Sequence, residues 1–216
     1  MADILKFTET PLIDESIEEY EYHKYDPITG TNLNNGVNIR ISIESQDVFT
    51  HRSESYLMFK SRITKADGTT YANADEVALT NNAIMHLLYH LSNQLIGSLN
   101  YPGQATTMLG LLTYPDDFSK AQGLNQLSYK DTATTAAKAD NNGFVARHAY
   151  LIQSPTVQGT FSFRIPLKHI FSFCEDYDKI VSGFKHSLTL VRKTDADAIF
   201  RGAAAGAGKV SLHKIS

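Results

Sequence analysis

Between residues 159 and 193 the chain alternates large apolar and polar side chains with a period of two, breaks for a short acidic stretch, then alternates again. That period is the one a half-buried strand imposes, because successive side chains leave opposite faces of a sheet. Phe161, Phe163 and Ile165 form one row against Ser162 and Arg164, and Phe184, Leu188 and Leu190 form the second. Pro166 closes the first ladder because it has no N–H to donate. The acidic stretch between them predicts a short helix over 175–180.

Other segments obey the same rule. Val37, Ile39, Ile41 and Ile43 alternate with Asn38, Arg40, Ser42 and Glu44, and each of those four contributes about 1.5 to 3 kcal/mol if fully buried. Residues 55–63 set Leu57, Phe59 and Ile63 against Lys60 and Arg62, and Lys65-Ala66-Asp67-Gly68 then turns the chain. Thr29-Gly30-Thr31 and Asn34-Asn35-Gly36 are turn chemistry of the same kind. Further strands are expected over 144–153, 198–201 and 209–215. Residues 104–112 read as a helix ended by Tyr114-Pro115. Ile84, Leu87, Leu88, Leu91 and Leu95 on their own fit helical spacing, with Asn81 or Asn82 as cap. Residues 120–143 shift to Ala, Thr, Asn, Gln and Lys and read as a long surface loop, of the length that usually carries function or contacts.

Composition removes several classes. No apolar run approaches the roughly eighteen residues of a membrane span, and the first residues lack the basic and apolar regions of a secretory leader, so intracellular synthesis is expected. The lone Cys174 cannot close an internal disulfide and reads as a small buried hydrophobe. A formal net charge of -3 gives no general reason to expect a phosphate partner. The charge is uneven, however: Asp14, Glu15, Glu18, Glu19 and Glu21 make the start acidic, while Arg164, Lys168, Lys185, Arg192, Lys193, Arg201, Lys209 and Lys214 make the end basic. Solvated faces account for both, and head-to-tail matching between subunits is the sharper alternative.

The candidates for chemistry fall short. Gly202 to Ser211 superficially resembles a phosphate loop, but Ala203 stands where a Gly is needed and Val210 where a hydroxyl must reach Mg²⁺. His86 and His90 have i, i+4 spacing, yet Leu87 occupies the place of a zincin's Glu and no third ligand is near. Glu175, Asp176 and Asp178 are accounted for by the start of the short helix, where negative charge meets the N-terminal dipole. No cofactor or metal is expected. The absence of Trp weakens a sugar-stacking site.

The run Ile165-Pro166-Leu167, then Phe171 and Phe173, then Asp176, Tyr177 and the strand ending at Arg192, resembles the double jelly-roll major capsid proteins of eukaryotic DNA viruses and virus-like transposons, of the Polinton and adintovirus type. The same family places an aromatic-Pro step before a helix, matched by Tyr101-Pro102, and a hairpin matched by residues 89–96. That resemblance turns 82–99 from a helix into a strand, a tip at 92–94 and a return strand, and it spans roughly residues 17–215. Between Met85 and Tyr89 the chain is several residues shorter than the family pattern.

The resemblance implies an all-β antiparallel jelly-roll sandwich of viral capsid type, with two sheets of about four strands and one or two short helices. It further implies an N-terminal arm over 1–16, one jelly-roll domain over 17–216, and a structural role. Subunits would form trimers and a shell holding a DNA genome, with other capsid proteins as possible partners and the virion as destination. Ser216 falls where such proteins begin a second roll, so a single roll corresponding to the N-terminal half is expected. A jelly-roll carbohydrate-binding module is the alternative. A cupin-like metal enzyme is the other, although none of the eight His residues has Asp, Glu or His two positions later.

Overall fold

The computed structural model describes residues 19–28, 33–34, 38–44, 49–93, 97–177, 179–182 and 185–216. The expected arm over 1–16, the turns at Gly30 and Gly36, Val37, Gln94, Asp178 and Phe184 lie outside the described residues. In chain order the elements are β1 (Asn38–Glu44), β2 (Thr50–His51), β3 (Tyr56–Lys65), β4 (Val77–Leu79), α1 (Ala83–His86), β5 (Leu88–Asn93), β6 (Gly97–Asn100), α2 (Pro102–Thr113), α3 (Asn142–His148), β7 (Thr160–Pro166), α4 (Ser172–Asp176), β8 (Ile180–Val181), β9 (Lys185–Arg192), β10 (Ile199–Arg201) and β11 (Gly208–Ile215).

The strands pair in the orders β1-β9-β5-β6 and β11-β3-β7, with two short ladders, β10-β4 and β2-β8. Every pairing is antiparallel. The chain passes back and forth between the two larger sheets, so neighbours in a sheet are distant in sequence, as in a jelly roll. The expected two sheets of four are therefore one of four and one of three, with the short ladders beside them.

The rows predicted by alternation form the core. Ile39 and Ile41 of β1, Leu57, Phe59 and Ile63 of β3, Phe161, Phe163 and Ile165 of β7, and Leu188 and Leu190 of β9 belong to one buried cluster. In β11 the pairing skips between Leu212 and Lys214, so the buried row runs Val210, Leu212, Ile215. A bulge of this kind resets which face a strand buries.

Gly159, just before β7, has φ +81, and a Cβ there would stand 2.3 Å from the Ile63 carbonyl oxygen. Its own carbonyl accepts the Ile63 N–H at 2.9 Å. Gly159→Ala is therefore expected to cost on the order of 2 kcal/mol, measurable as a drop in the urea midpoint; an unchanged midpoint would contradict this geometry.

Four expectations are corrected. Residues 144–153 are helical, not a strand: α3 runs into a π-type turn at Ala149–Gln153. The cause is legible afterwards, since Phe144, Arg147, His148, Leu151 and Ile152 are all buried at helical spacing, and the Asn141 carboxamide oxygen caps the start by accepting the Phe144 N–H at 3.1 Å. Residues 82–99 combine both candidate structures. α1 makes one turn, β5 begins only at Leu88, and its ladder with β9 slips between Leu88 and His90. Ser92, expected at the tip, pairs within the ladder against Ser98. The helix expected over 175–180 is α4, three residues earlier, so Asp176 closes it and Ile180 belongs to β8. Among the described residues there are four α-helices instead of one or two.

The 120–143 segment has no strand, as expected, but it is wedged into the fold. A 3-10 turn covers Gln122–Gln126, and Leu127, Ala136 and Asn141 are buried. Arg147, fully buried, ties it down: its guanidinium donates to the Leu79 and Tyr129 carbonyls at 2.8 and 2.9 Å, to Asn81 Oδ1 at 2.9 Å and to Asp131 Oδ1 at 2.7 Å. Asn141 Nδ2 donates to the Ala133 and Thr135 carbonyls. Among the described residues no helix is long and apolar enough to cross a membrane.

Candidate functional site

Helix α2 follows β6 through Tyr101, whose φ of +51 reverses the chain, and Pro102 occupies the first helical turn, where its missing N–H costs nothing. The helix docks through its small residues. Pro102, Gly103 and Thr106 are buried, and a Cβ on Gly103 would meet the His86 ring at 2.6 Å. Thr106 Oγ1 donates to the Pro102 carbonyl at 2.6 Å and accepts from the Asn82 side chain.

The apolar residues face the other way. Met108 is 64% exposed, Leu111 78% and Leu112 83%, with Leu109 and Tyr101 beside them. They fall at i, i+3 and i+4, one face of the helix, and no charged residue occurs between positions 91 and 115. A helix that buries its small face and presents its large apolar one has its hydrophobic surface still to cover, and contiguous patches of this kind mark contact sites.

A cleft of about 170 Å³ lies beside this helix, between α2, the 114–130 segment and the end of β7, with Leu111 of the apolar row among its lining. Tyr114 stacks on Phe118 at 3.9 Å between ring centroids, and His169 meets the Phe118 ring edge-on at 5.9 Å. Gln126 Nε2 lies within hydrogen-bond reach of His169 Nδ1. Burial, and then the Lys168 charge, push the His169 imidazole down to about 4. Burial and the Arg52 guanidinium do the same to His186, also to about 4. Both rings are neutral in the folded chain at pH 7. Because their folded values lie below the ordinary 6.5, the stability they contribute is whole above pH 6.5 and is lost as pH falls through 4. Imidazole proton NMR is expected to show both titrating near pH 4, with the urea midpoint falling between pH 6.5 and 4; titration near 6.5 would contradict their burial.

The motif residues divide between packing and surface. Ile165 faces the core and lines the cleft. Pro166 pairs with Tyr56 at the end of β7, and the Leu167 N–H donates to the Ser55 carbonyl at 2.8 Å. Leu167 and Phe171 are buried, as is Cys174, whose thiol burial pushes up to about 11. Phe173 and Tyr177 are 38% exposed and stack at 5.1 Å, with Asp176 exposed between them.

Arg192 corrects the solvated-face account of the basic end. It is buried, and it donates to the Leu33 carbonyl at 3.1 Å, Asn34 Oδ1 at 2.7 Å, Asp195 Oδ1 at 2.7 Å and the Val210 carbonyl. It clamps the ends of two sheets together. His86 sits in α1 and His90 in β5, where its Nδ1 lies 2.7 Å from Asn100 Oδ1, so the pair does not share one face. Among the described residues no three His, Cys, Asp or Glu side chains converge on a point.

With the α2 platform, the cleft and the Ile165–Phe171 corner in place, the comparison with known families bears on what they form. Residues 129–216 match the double jelly roll-like domain. The match takes in α3 and every strand from β7 to β11, including the 165–192 part of the resemblance but not Tyr101-Pro102 or the hairpin over 89–96, and it fits a capsid-type jelly-roll fold. No curated protein matches the chain. The outward apolar row of α2 lies upstream of the matched part, and its signal in the sequence is the uncharged Met108-Leu109-Gly110-Leu111-Leu112.

Proposed function

We propose that this protein is a structural, non-enzymatic subunit that associates with copies of itself to build a shell of viral capsid type, of the Polinton and adintovirus kind. The carrying observation is the exposed Met108, Leu111 and Leu112 row on a jelly-roll sandwich, supported by the double jelly roll-like match over 129–216. The occupant of that row is a second copy. An uncharged apolar surface disfavours a polar partner, whose groups would be desolvated without replacement, and copies of the helix meeting around a three-fold axis make a head-to-tail contact that closes into a ring without open-ended growth. Trimers about a three-fold axis, tiling a closed shell around a DNA genome in the virion, complete the proposal. An obligate contact of this kind buries on the order of 2,000 Å², which requires more than α2, and the neighbouring 114–130 segment is placed to extend it.

Sedimentation velocity over a hundredfold range of protein concentration tests the idea. Trimers or larger species that grow with concentration are expected. Monomers throughout, retained instead on immobilised glycans, would replace it with a sugar-binding module.

A further inference from the structure

The outward face of the three-stranded sheet has its own character. On the rows that alternate with the core residues stand Lys60 and Arg62 of β3, Arg164 of β7, and Lys209 and Lys214 of β11. Lys60 lies directly opposite Lys214 in the ladder, an arrangement that destabilises a sheet because like charges face each other about 5 Å apart. Along β3, Lys60 and Arg62 follow at about 7 Å. Among the described residues none of the five forms a salt bridge, and no carboxylate occupies these rows. Lys24 crowds the same end, holding the Lys214 ammonium below its ordinary value, while Asp26, paired with Lys24 at 2.7 Å, and then Lys60 also act on it. In a chain of net charge -3, this is a local concentration of cations maintained against its own repulsion.

Aromatic surface adjoins it. The Arg164 guanidinium lies 3.5 Å from the Tyr56 ring centroid and 5.7 Å from that of Tyr22, and Tyr22 is 55% exposed. Cations that track a backbone, beside an aromatic ring on which a base can stack, are the elements of sequence-independent nucleic-acid binding.

We infer that the outward face of β11-β3-β7 binds the phosphate backbone of nucleic acid through Lys60, Arg62, Lys209 and Lys214. A phosphodiester strand carries one charge per about 3.4 Å, so it supplies the counter-charges that the sheet lacks. The chain's own acidic start is the competing occupant, but its described part leaves in another direction. Asp26 lies by Lys214, Tyr22 contacts Tyr56 at 5.5 Å, and Tyr20 goes on to the field of Glu54. That path crosses the Tyr56 end of the sheet and leaves Arg62 and Lys209 clear among the described residues. The inference holds whether or not the chain assembles.

Fluorescence anisotropy of a labelled 30-nucleotide single strand and the matching duplex, titrated with the full chain at 50 and 200 mM NaCl, tests it. Binding of either form that weakens steeply with salt is expected. In K60Q/R62Q/K209Q the affinity falls at least tenfold, and the log–log salt slope for the single strand flattens by about two, since each lost contact removes roughly 0.7. Amine-reactive footprinting of the wild-type chain, independent of how the variant folds, should find Lys60, Lys209 and Lys214 protected by the oligonucleotide. No binding at 50 mM salt, unprotected lysines, or displacement of the oligonucleotide by a peptide of residues 12–22 at equal concentration would overturn the inference.

Discussion

Leu111→Asp combined with Leu112→Asp is expected to leave a folded monomer that no longer associates. Both side chains are about four-fifths exposed in the isolated subunit, at 78% and 83%, so the substitution removes almost nothing from the core and the thermal midpoint should hold. In a subunit contact the same two leucines each contribute about 1.5 to 3 kcal/mol on burial, and a carboxylate put in their place must also be desolvated or excluded. A loss of about 2.8 kcal/mol already weakens association a hundredfold, and the double variant should exceed that. The check is sedimentation velocity beside circular dichroism. Association equal to wild type would move the contact away from α2, whereas an unfolded variant would mean that the helix face packs internally.

Arg147→Met is expected to cost about 3 kcal/mol or more. The guanidinium is fully buried and holds two backbone carbonyls, Asn81 and Asp131 at once. Burial draws its pKa down, and Asp131, 31% exposed, opposes that shift. Methionine fills a similar volume but leaves the Leu79 and Tyr129 carbonyls without this donor, and unsatisfied buried acceptors cost about 1 to 3 kcal/mol each. The damage should be local first. Hydrogen exchange across residues 127–141 should accelerate more than that in β3 or β7, and the urea midpoint should fall. A variant as stable as wild type, with unchanged exchange in that segment, would contradict the role given to Arg147.

The strand rows were legible because a period of two needs no partner to be read. Phe161, Phe163 and Ile165, or Ile39 and Ile41, reveal their face in sequence and are buried in the structure. Residues 144–153 are less legible for a related reason: Arg147 and His148 are polar by type, so they interrupt the helical row through Phe144, Leu151 and Ile152. Only tertiary packing makes an arginine a core residue, by bringing to it Leu79 from the distant β4 and Tyr129 and Asp131 from the loop before α3. Arg192 misled in the same way, counted as a surface charge although Asn34, Asp195 and Val210 enclose it.

The two candidate surfaces divide likewise. Helix α2 was legible as a helix, but nothing local says which side docks, since that is decided by the close approach of Gly103 to His86. The basic end was visible as a count of charges. The register of β3 against β11 and β7 is what gathers Lys60, Arg62, Lys209 and Lys214 on one face, whereas Arg192 ends β9 of the other sheet and is buried.

Electron cryomicroscopy of the purified chain at high concentration tests the central claim most directly, because it images both the assembly and its contacts. The account predicts closed, symmetric particles in which Met108, Leu111 and Leu112 of one subunit lie buried against another. Isolated subunits at every concentration, or a closed particle with those three side chains facing solvent, would contradict it.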